Sequence, residues 1–263
     1  CEGGKMKTVI LCGGLGTRLR QETEFRPKPL VEIGGRPILW HIMKIYAFHG
    51  CKDFVLCLGY KGEMIRQYFL NYQSMLSDFT ISGLGPNPSI IYHNTHDEHD
   101  LCVTLADTGL ETNTGGRIKR VQKYISDDPF MVTYGDGVAD IDIRRLLQFH
   151  RSHGKLATLT TVRPVSRYGV IDITPDGKVK QFREKPYVDG WINAGFFVFS
   201  QGVFDYLDEN CVLEREPLER LARDGQLAAF RHERFWYGMD TYRDFLYLNE
   251  LWDNGEAPWR LWP

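Results

Sequence analysis

The chain has 263 residues, 43% of them hydrophobic, enough for one large core and too many for a disordered polymer. A formal net charge of −2 offers no basic field to nucleic acid, so a site that handles phosphate must be built from locally placed cations. No apolar run approaches the ~20 residues needed to cross a bilayer, and nothing before Met6 has the form of a signal peptide. Six cysteines, at 1, 12, 51, 57, 102 and 211, show no CxxC spacing and read as free thiols of a reducing cytoplasm.

Residues 1–5 read as a leftover or an alternative start. Thr8 to Cys12 is a short β-rich apolar run that suits a buried parallel strand. It runs into Gly13-Gly14-Leu15-Gly16-Thr17-Arg18. Glycines let backbone N–H groups approach a ligand with no Cβ in the way, and such groups make a concavity for phosphate. Arg18 adds a multi-donor positive charge beside them. The loop is not a Walker A motif, since no Gly-Lys-Ser/Thr follows, and it lacks the third glycine of the dinucleotide fingerprint. Standing alone it could be a tight β–loop–α connection. Next, Arg26-Pro27-Lys28-Pro29-Leu30 sets a lysine between two prolines, which predicts a stiff, extended, non-helical rail that aims Lys28. The plainer reading is a surface turn.

Beyond a turn at 33–36, Pro37 opens a helix with Ile38, Ile42, Ile45 and Tyr46 on its apolar face. Asp53 to Leu58 is a second strand, and Gly62 to Tyr72 a second helix with Met64, Ile65, Tyr68 and Phe69 turned inward. Strands follow at 79–81, 90–92 and 101–106. His93, His96 and His99 among acids resemble a metal cluster, but without the helical HExxH pattern a polar loop is the better reading. Thr114 is placed as the N-cap of a helix through Ile118, Val121 and Ile125. Phe130 to Tyr134 is a buried strand ending in Gly135-Asp136-Gly137. A ligand of an open α/β sheet sits beyond the carboxyl ends of its strands, so Asp136 is there in position to hold Mg²⁺. Asp-Gly as a plain turn is the alternative.

A helix covers 142–153. Strands then crowd the second half, at 157–162, 168–173, 179–182 and 192–199. Glu184-Lys185-Pro186 again biases a lysine towards extended geometry, and Asn193-Ala194-Gly195 puts an amide beside a glycine. A polar helix at 214–224 and a strand at 226–231 follow. Asp240 precedes a helix bearing Tyr242, Phe245, Leu248 and Leu251, and its plain role is that helix's N-cap. Trp252, Trp259, Leu261 and Trp262 pack either on a neighbouring subunit or on the chain's own sheet. The alternation predicts an α/β fold, a mostly parallel, doubly wound, Rossmann-like sheet with a strand-rich second half. Residues 6–263 are expected to form one domain, divided near 140.

The glycine loop with Thr17-Arg18-Leu19, followed by Pro27-Lys28-Pro29, resembles the sugar-1-phosphate nucleotidylyltransferase family, and within it the cytidylyltransferase branch. The similarity runs from about Met6 to the C-terminus and is weakest over 82–100. The resemblance implies Mg²⁺-assisted attack of glucose 1-phosphate on CTP, giving CDP-glucose for polysaccharide biosynthesis in a homo-oligomeric, cytoplasmic enzyme. It assigns catalysis to Arg18, Lys28, Asp136 and Lys185, and the metal to Asp136 and Asp240. It assigns the nucleotide to Leu11 through Arg18 (Cys12, Gly13, Gly14, Leu15, Gly16 and Thr17 among them), Lys28, Thr112, Thr114, Arg117 and Gly135. The sugar falls to Tyr134, Tyr168, Gly169, Glu184, Lys185, Asn193 and Gly195. The alternatives are a UTP- or dTTP-using relative, a catalytically silent sugar-nucleotide sensor, which should have lost one of the five charged residues, and an NAD-dependent oxidoreductase, which needs the absent glycine.

Overall fold

Seven strands form the central sheet of the computed structural model, which describes residues 6–83, 85–94, 98–126, 128–166, 168–184, 186–187 and 189–263. In chain order they are β1 (Lys7–Leu11), β2 (Asp53–Leu58), β3 (Cys102–Asp107), β4 (Phe130–Tyr134), β5 (Ala157–Val162), β6 (Ile192–Phe199) and β7 (Leu227–Arg231). Their spatial order is β7-β5-β6-β4-β1-β2-β3. The pairs β1/β2, β1/β4, β2/β3 and β5/β7 are parallel, and β6 runs antiparallel to both β4 and β5. The longer helices are α1 (Ile38–Phe48), α2 (Gly62–Leu70), α3 (Thr114–Arg120), α4 (Ile143–His153), α5 (Glu216–Arg223) and α6 (Tyr242–Asp253).

Why the central strands are largely apolar follows from the two covered faces. Val9 and Leu11 enter one core cluster with Val55, Cys57, Val132 and Phe197, while Ile10 enters the other with Phe54, Leu56, Met131 and Phe196. Side chains alternate across a strand, so a sheet buried on both sides needs hydrophobic residues at every position. All six residues of β2 are buried. Burial also pushes the Cys57 thiol up to about 12, which keeps it protonated.

Four strands expected in sequence lie apart from this sheet. Phe79–Ser82 pairs only with Ser89–Tyr92, and Val170–Ile173 only with Val179–Arg183, each a separate two-stranded ribbon. Other departures are local. The helix expected over 62–72 ends at Leu70, and a second short helix spans Tyr72–Leu76. Helix α3 stops at Arg120 with Asn113, not Thr114, at its N-cap. Of the histidines in the 93–99 loop, His96 lies outside the described residues, and His93 shares a 2.8 Å hydrogen bond with Thr80. The C-terminal tryptophans pack on their own chain. Trp252 and Trp259 meet the buried His41 of α1 edge-on, and Trp259 Nε1 donates to His41 Nδ1 at 3.3 Å. An indole only donates and a carbonyl only accepts, so Nε2 carries the proton that bonds the Ile33 carbonyl at 2.9 Å. Among the described residues no helix is long and apolar enough to cross a membrane.

Candidate active site

Strand order reverses at β1: the first connection leads away to β2 on one side, and β4 returns on the other. A crevice opens at such a switch point, beyond the carboxyl ends of the two strands. The glycine loop leaves β1 there and Gly135-Asp136 leaves β4 beside it. Gly135 has no room for a side chain, since a Cβ would stand 2.7 Å from the Leu11 carbonyl and 3.3 Å from the Pro29 ring. That close approach lays the Pro27–Pro29 segment against the end of β4. Pro27 is extended (φ −66°, ψ 148°), as expected, but the chain then makes one 3₁₀ turn over Lys28–Leu30 rather than continuing extended. The turn satisfies Val31 N on the Lys28 carbonyl at 3.0 Å and sends Leu30 into the core, while Lys28 stays fixed and only 9% exposed.

Asp240 reaches the same place through a short ribbon. Gly137–Ala139 pairs antiparallel with Trp236–Gly238, and Met239 N donates to the Asp136 carbonyl at 2.8 Å. Helix α6 is capped by Thr241, in a reciprocal capping box with Asp244. The capping role considered for Asp240 is therefore filled by its neighbour, and the Asp240 carboxylate is turned to the cluster. Lys28 Nζ donates to Asp136 Oδ2 at 2.7 Å and to Asp240 Oδ1 at 2.9 Å. Arg18 grips Asp240 with both terminal nitrogens, at 3.0 and 3.1 Å. Burial pulls the Lys28 pKa down, but the two carboxylates outweigh it and raise it, so Lys28 is a firm ammonium at neutral pH. Two cations and two anions, drawn from four separated stretches of chain, thus neutralise one another in one cleft.

Within the loop itself, Gly13 is buried while Gly14, Leu15, Thr17 and Arg18 are exposed. A Cβ on Gly13 would lie 2.1 Å from the Arg117 guanidinium, whereas one on Gly14 would meet nothing within 4 Å. Arg117 is the clearest difference from the sequence reading. It does not face outward to a phosphate. Its terminal nitrogens lie 2.7–3.1 Å from the carbonyls of Gly13, Leu58, Gly109 and Leu110 and from the Thr108 hydroxyl. A buried guanidinium needs acceptors on its donors, and these loop carbonyls supply them. It ties the glycine loop, the end of β2 and the 108–112 loop together from behind. Thr114 also differs: its hydroxyl donates to Glu214 Oε2 at 2.6 Å and accepts from Leu213 N at 2.9 Å.

On the other side of β4, Tyr134 OH accepts from Asn193 Nδ2 at 3.0 Å and donates to Glu214 Oε1 at 2.5 Å. Gly195 has φ +80° and sits where a Cβ would stand 2.3 Å from the Tyr134 ring, which only glycine tolerates. Glu214 had no sequence signal, being one charge in a polar run. Tyr168, Gly169 and Glu184 gather at the base of the outer ribbon, with Glu184 Oε2 3.1 Å from where a Gly169 Cβ would be. Lys185 lies outside the described residues. Among those described, no group of three or more His, Cys, Asp or Glu residues is arranged to hold a metal ion by itself.

A family model described as nucleotidyl transferase matches residues 7–250. The chain belongs to the nucleotidyl transferase family. Among curated nucleotidyl transferases, it is 52% identical over 260 residues to the glucose-1-phosphate cytidylyltransferase of Salmonella typhimurium, covering 98% of this chain and 100% of that one. It is 46% identical, with the same coverage, to the probable glucose-1-phosphate cytidylyltransferase of Bacillus subtilis. A mannose-1-phosphate guanyltransferase of Neurospora crassa is 31% identical over 95% of this chain and 66% of its own. Among solved structures, HddC from Yersinia pseudotuberculosis superposes with a TM-score of 0.67 at 25% identity, covering 94% of this chain and 99% of that one. A UDP-glucose pyrophosphorylase at 16% identity and TM-score 0.68, covering 95% and 99%, shares the fold of this nucleotidyl transferase.

Proposed function

We propose that this enzyme joins CTP and α-D-glucose 1-phosphate to give CDP-glucose and pyrophosphate. The observation that carries it is the convergence of Arg18, Lys28, Asp136 and Asp240 at the switch point, in a nucleotidyl transferase whose relatives along the full chain are cytidylyltransferases. A 1-phosphate oxygen attacks the α-phosphorus of CTP, forming the new P–O bond. The bond from the α-phosphorus to the α,β-bridging oxygen breaks, and its electron pair leaves with pyrophosphate. The attacking oxygen is already anionic near pH 7, so no general base is needed. What must be supplied is alignment of two mutually repelling anions and neutralisation of the charge between them.

Lys28 is aimed by its prolines and by the two carboxylates, so its ammonium already stands where the α-phosphate would bind. Arg18, exposed and forked, takes the β- and γ-phosphates, exchanging a carboxylate for phosphate oxygens in the same bidentate geometry. The open backbone at Gly14 to Thr17 lets amides approach the triphosphate. Asp136 and Asp240 are the donor set a Mg²⁺ would use: hard carboxylates, each about one-third exposed, already gathered on one cation. When bound there, Mg²⁺ supplies further neutralisation of phosphate charge. With Asp136 and Asp240 holding the metal, Lys28 would turn its N–H donors from carboxylate to phosphate. The sugar is held from Tyr134, Asn193, Gly195, Tyr168, Gly169 and Glu184, and Lys185 takes its phosphate. The nucleotide half spans 6–140 and the sugar-phosphate half 141–263, although β6 threads the second half back into the shared sheet.

Pyrophosphate release with glucose 1-phosphate and each of ATP, GTP, CTP, UTP and dTTP tests the base. CTP should be turned over at least tenfold faster than UTP or dTTP, about 1.4 kcal/mol of discrimination. Preferred release from UTP or dTTP would replace the cytosine assignment. Nucleotide binding without any pyrophosphate release would make the chain a sensor.

A further inference from the structure

We propose that Glu214 is a positioning residue for the sugar subsite, anchored from the nucleotide side by Thr114. Residues 210–214 lie as a strap across the start of α3. Asn113 Nδ2 donates to the Asn210 carbonyl at 3.0 Å, and Gly116 N to the Cys211 carbonyl at 3.1 Å. The strap is seated so closely that a Cβ on Gly115 would stand 2.4 Å from Cys211 Sγ, and one on Gly116 2.3 Å from the Glu209 carbonyl. The pair of glycines opening α3 therefore serves strap packing.

The strap ends at Glu214, and from there the polarity of every bond is determined. A hydroxyl has one proton. That of Thr114 goes to Glu214 Oε2, and that of Tyr134 goes to Oε1. The Tyr134 oxygen is then left only to accept, which it does from Asn193 Nδ2. The other end of that amide is pinned as acceptor by Gly195 N at 2.9 Å. With its oxygen and one N–H committed, Asn193 is locked in a single orientation and offers a sugar hydroxyl its second N–H. Glu214 thus decides what the far end of the chain of bonds presents, although it is two bonds away. A carboxylate is needed because both ends must accept.

The inference rests on the sugar-side reading of Tyr134 and Asn193, and it makes a counterintuitive demand. Thr114 sits on the helix expected to serve the nucleotide, yet Thr114→Val should raise KM for glucose 1-phosphate by roughly tenfold and leave KM for CTP within about twofold. Glu214→Ala and Tyr134→Phe should do the same, and the double variant should be no worse than either single one, because the residues act as one unit. Glu214→Gln, whose amide oxygen can accept from only one of the two hydroxyls, should fall between wild type and Glu214→Ala. The test is steady-state kinetics in both substrates, with circular dichroism to confirm folding. If Glu214→Ala does not fold, Thr114→Val and Glu214→Gln carry the same comparison. A KM change landing on CTP for Thr114→Val, additive losses in the double variant, or unchanged KM values in all of them would overturn the proposal. Wild-type enzyme that releases no pyrophosphate from CTP and glucose 1-phosphate is a different result: it removes the functional reading, and this proposal with it.

Discussion

The two sides of the cleft are built by different means. The side proposed for the nucleotide rises directly from the buried ends of β1 and β4, where Lys28 is 9% exposed and four charges lock one another. The outer part of the side proposed for the sugar stands on the ribbon of Val170–Ile173 and Val179–Arg183. Every residue of its second strand is exposed, Phe182 at 59%, and Tyr168, just before the first strand, is 79% exposed. A lone two-stranded ribbon is marginal without a packed face, whereas a buried parallel sheet holds its strand ends by the whole core. On the proposed reading, orientation of the α-phosphate is thus part of the fold's stability, and much of sugar recognition is not. Changes on the first side should strike chemistry, and changes on the outer ribbon should strike affinity.

The largest effect expected is for Lys28→Ala. Loss of a preorganised charge-stabilising donor costs on the order of 10²–10³ in rate, so kcat for pyrophosphate release should fall at least that far with the circular dichroism spectrum unchanged. Near-normal turnover would remove Lys28 from the chemistry and erase the contrast between the two sides.

Next is a pH effect in the frame behind the nucleotide side. Burial holds His41 neutral down to about 4, where an exposed histidine is neutral only above about 6.5. Between those values the unfolded chain binds a proton that the folded chain refuses, so stability is lost as pH falls from 6.5 towards 4. The upper bound is on the order of 3 kcal/mol for this one group. His150, hydrogen-bonded to Thr158 and Ser200 and also pushed to about 4, adds in the same direction. Urea denaturation at pH 7 and pH 5 should show the loss, and His41→Gln should reduce its slope.

Gly195→Ala probes the junction of the two sides. The left-handed backbone there costs a non-glycine residue roughly 1–2 kcal/mol, and the Tyr134 ring must also shift. KM for glucose 1-phosphate should rise more than KM for CTP, with a lower Tm by calorimetry. The smallest change in stability is expected for Tyr168→Ala on the ribbon, within about 0.5 kcal/mol, while KM for glucose 1-phosphate rises. A large Tm loss there would mean that the ribbon is as tightly built into the core as the strand ends are.

Much of this was legible in the sequence because the information is local. Apolar runs of five or six residues marked β1, β2 and β4, and Asp-Gly after β4 marked a strand end. Glycine loop, proline-flanked lysine and aspartates were each visible as chemistry without a partner. The partners of Thr114 and Arg117 were not legible for the same reason. A hydroxyl or a guanidinium declares what it can donate, but not to whom, and only the packing of residues 210–214 and the loop carbonyls assigned those donors.

The order of residues by itself determined the elements, the doubly wound pattern and the identity of the charged groups, since backbone propensity and hydrophobic period act over a few neighbours. Tertiary structure alone decided that Arg18, Lys28, Asp136 and Asp240 share one cleft, that Glu214 belongs with Tyr134 and Asn193, and that Arg117 serves as a brace. Those pairings join positions far apart along the chain, and they exist only because the sheet closes the distance.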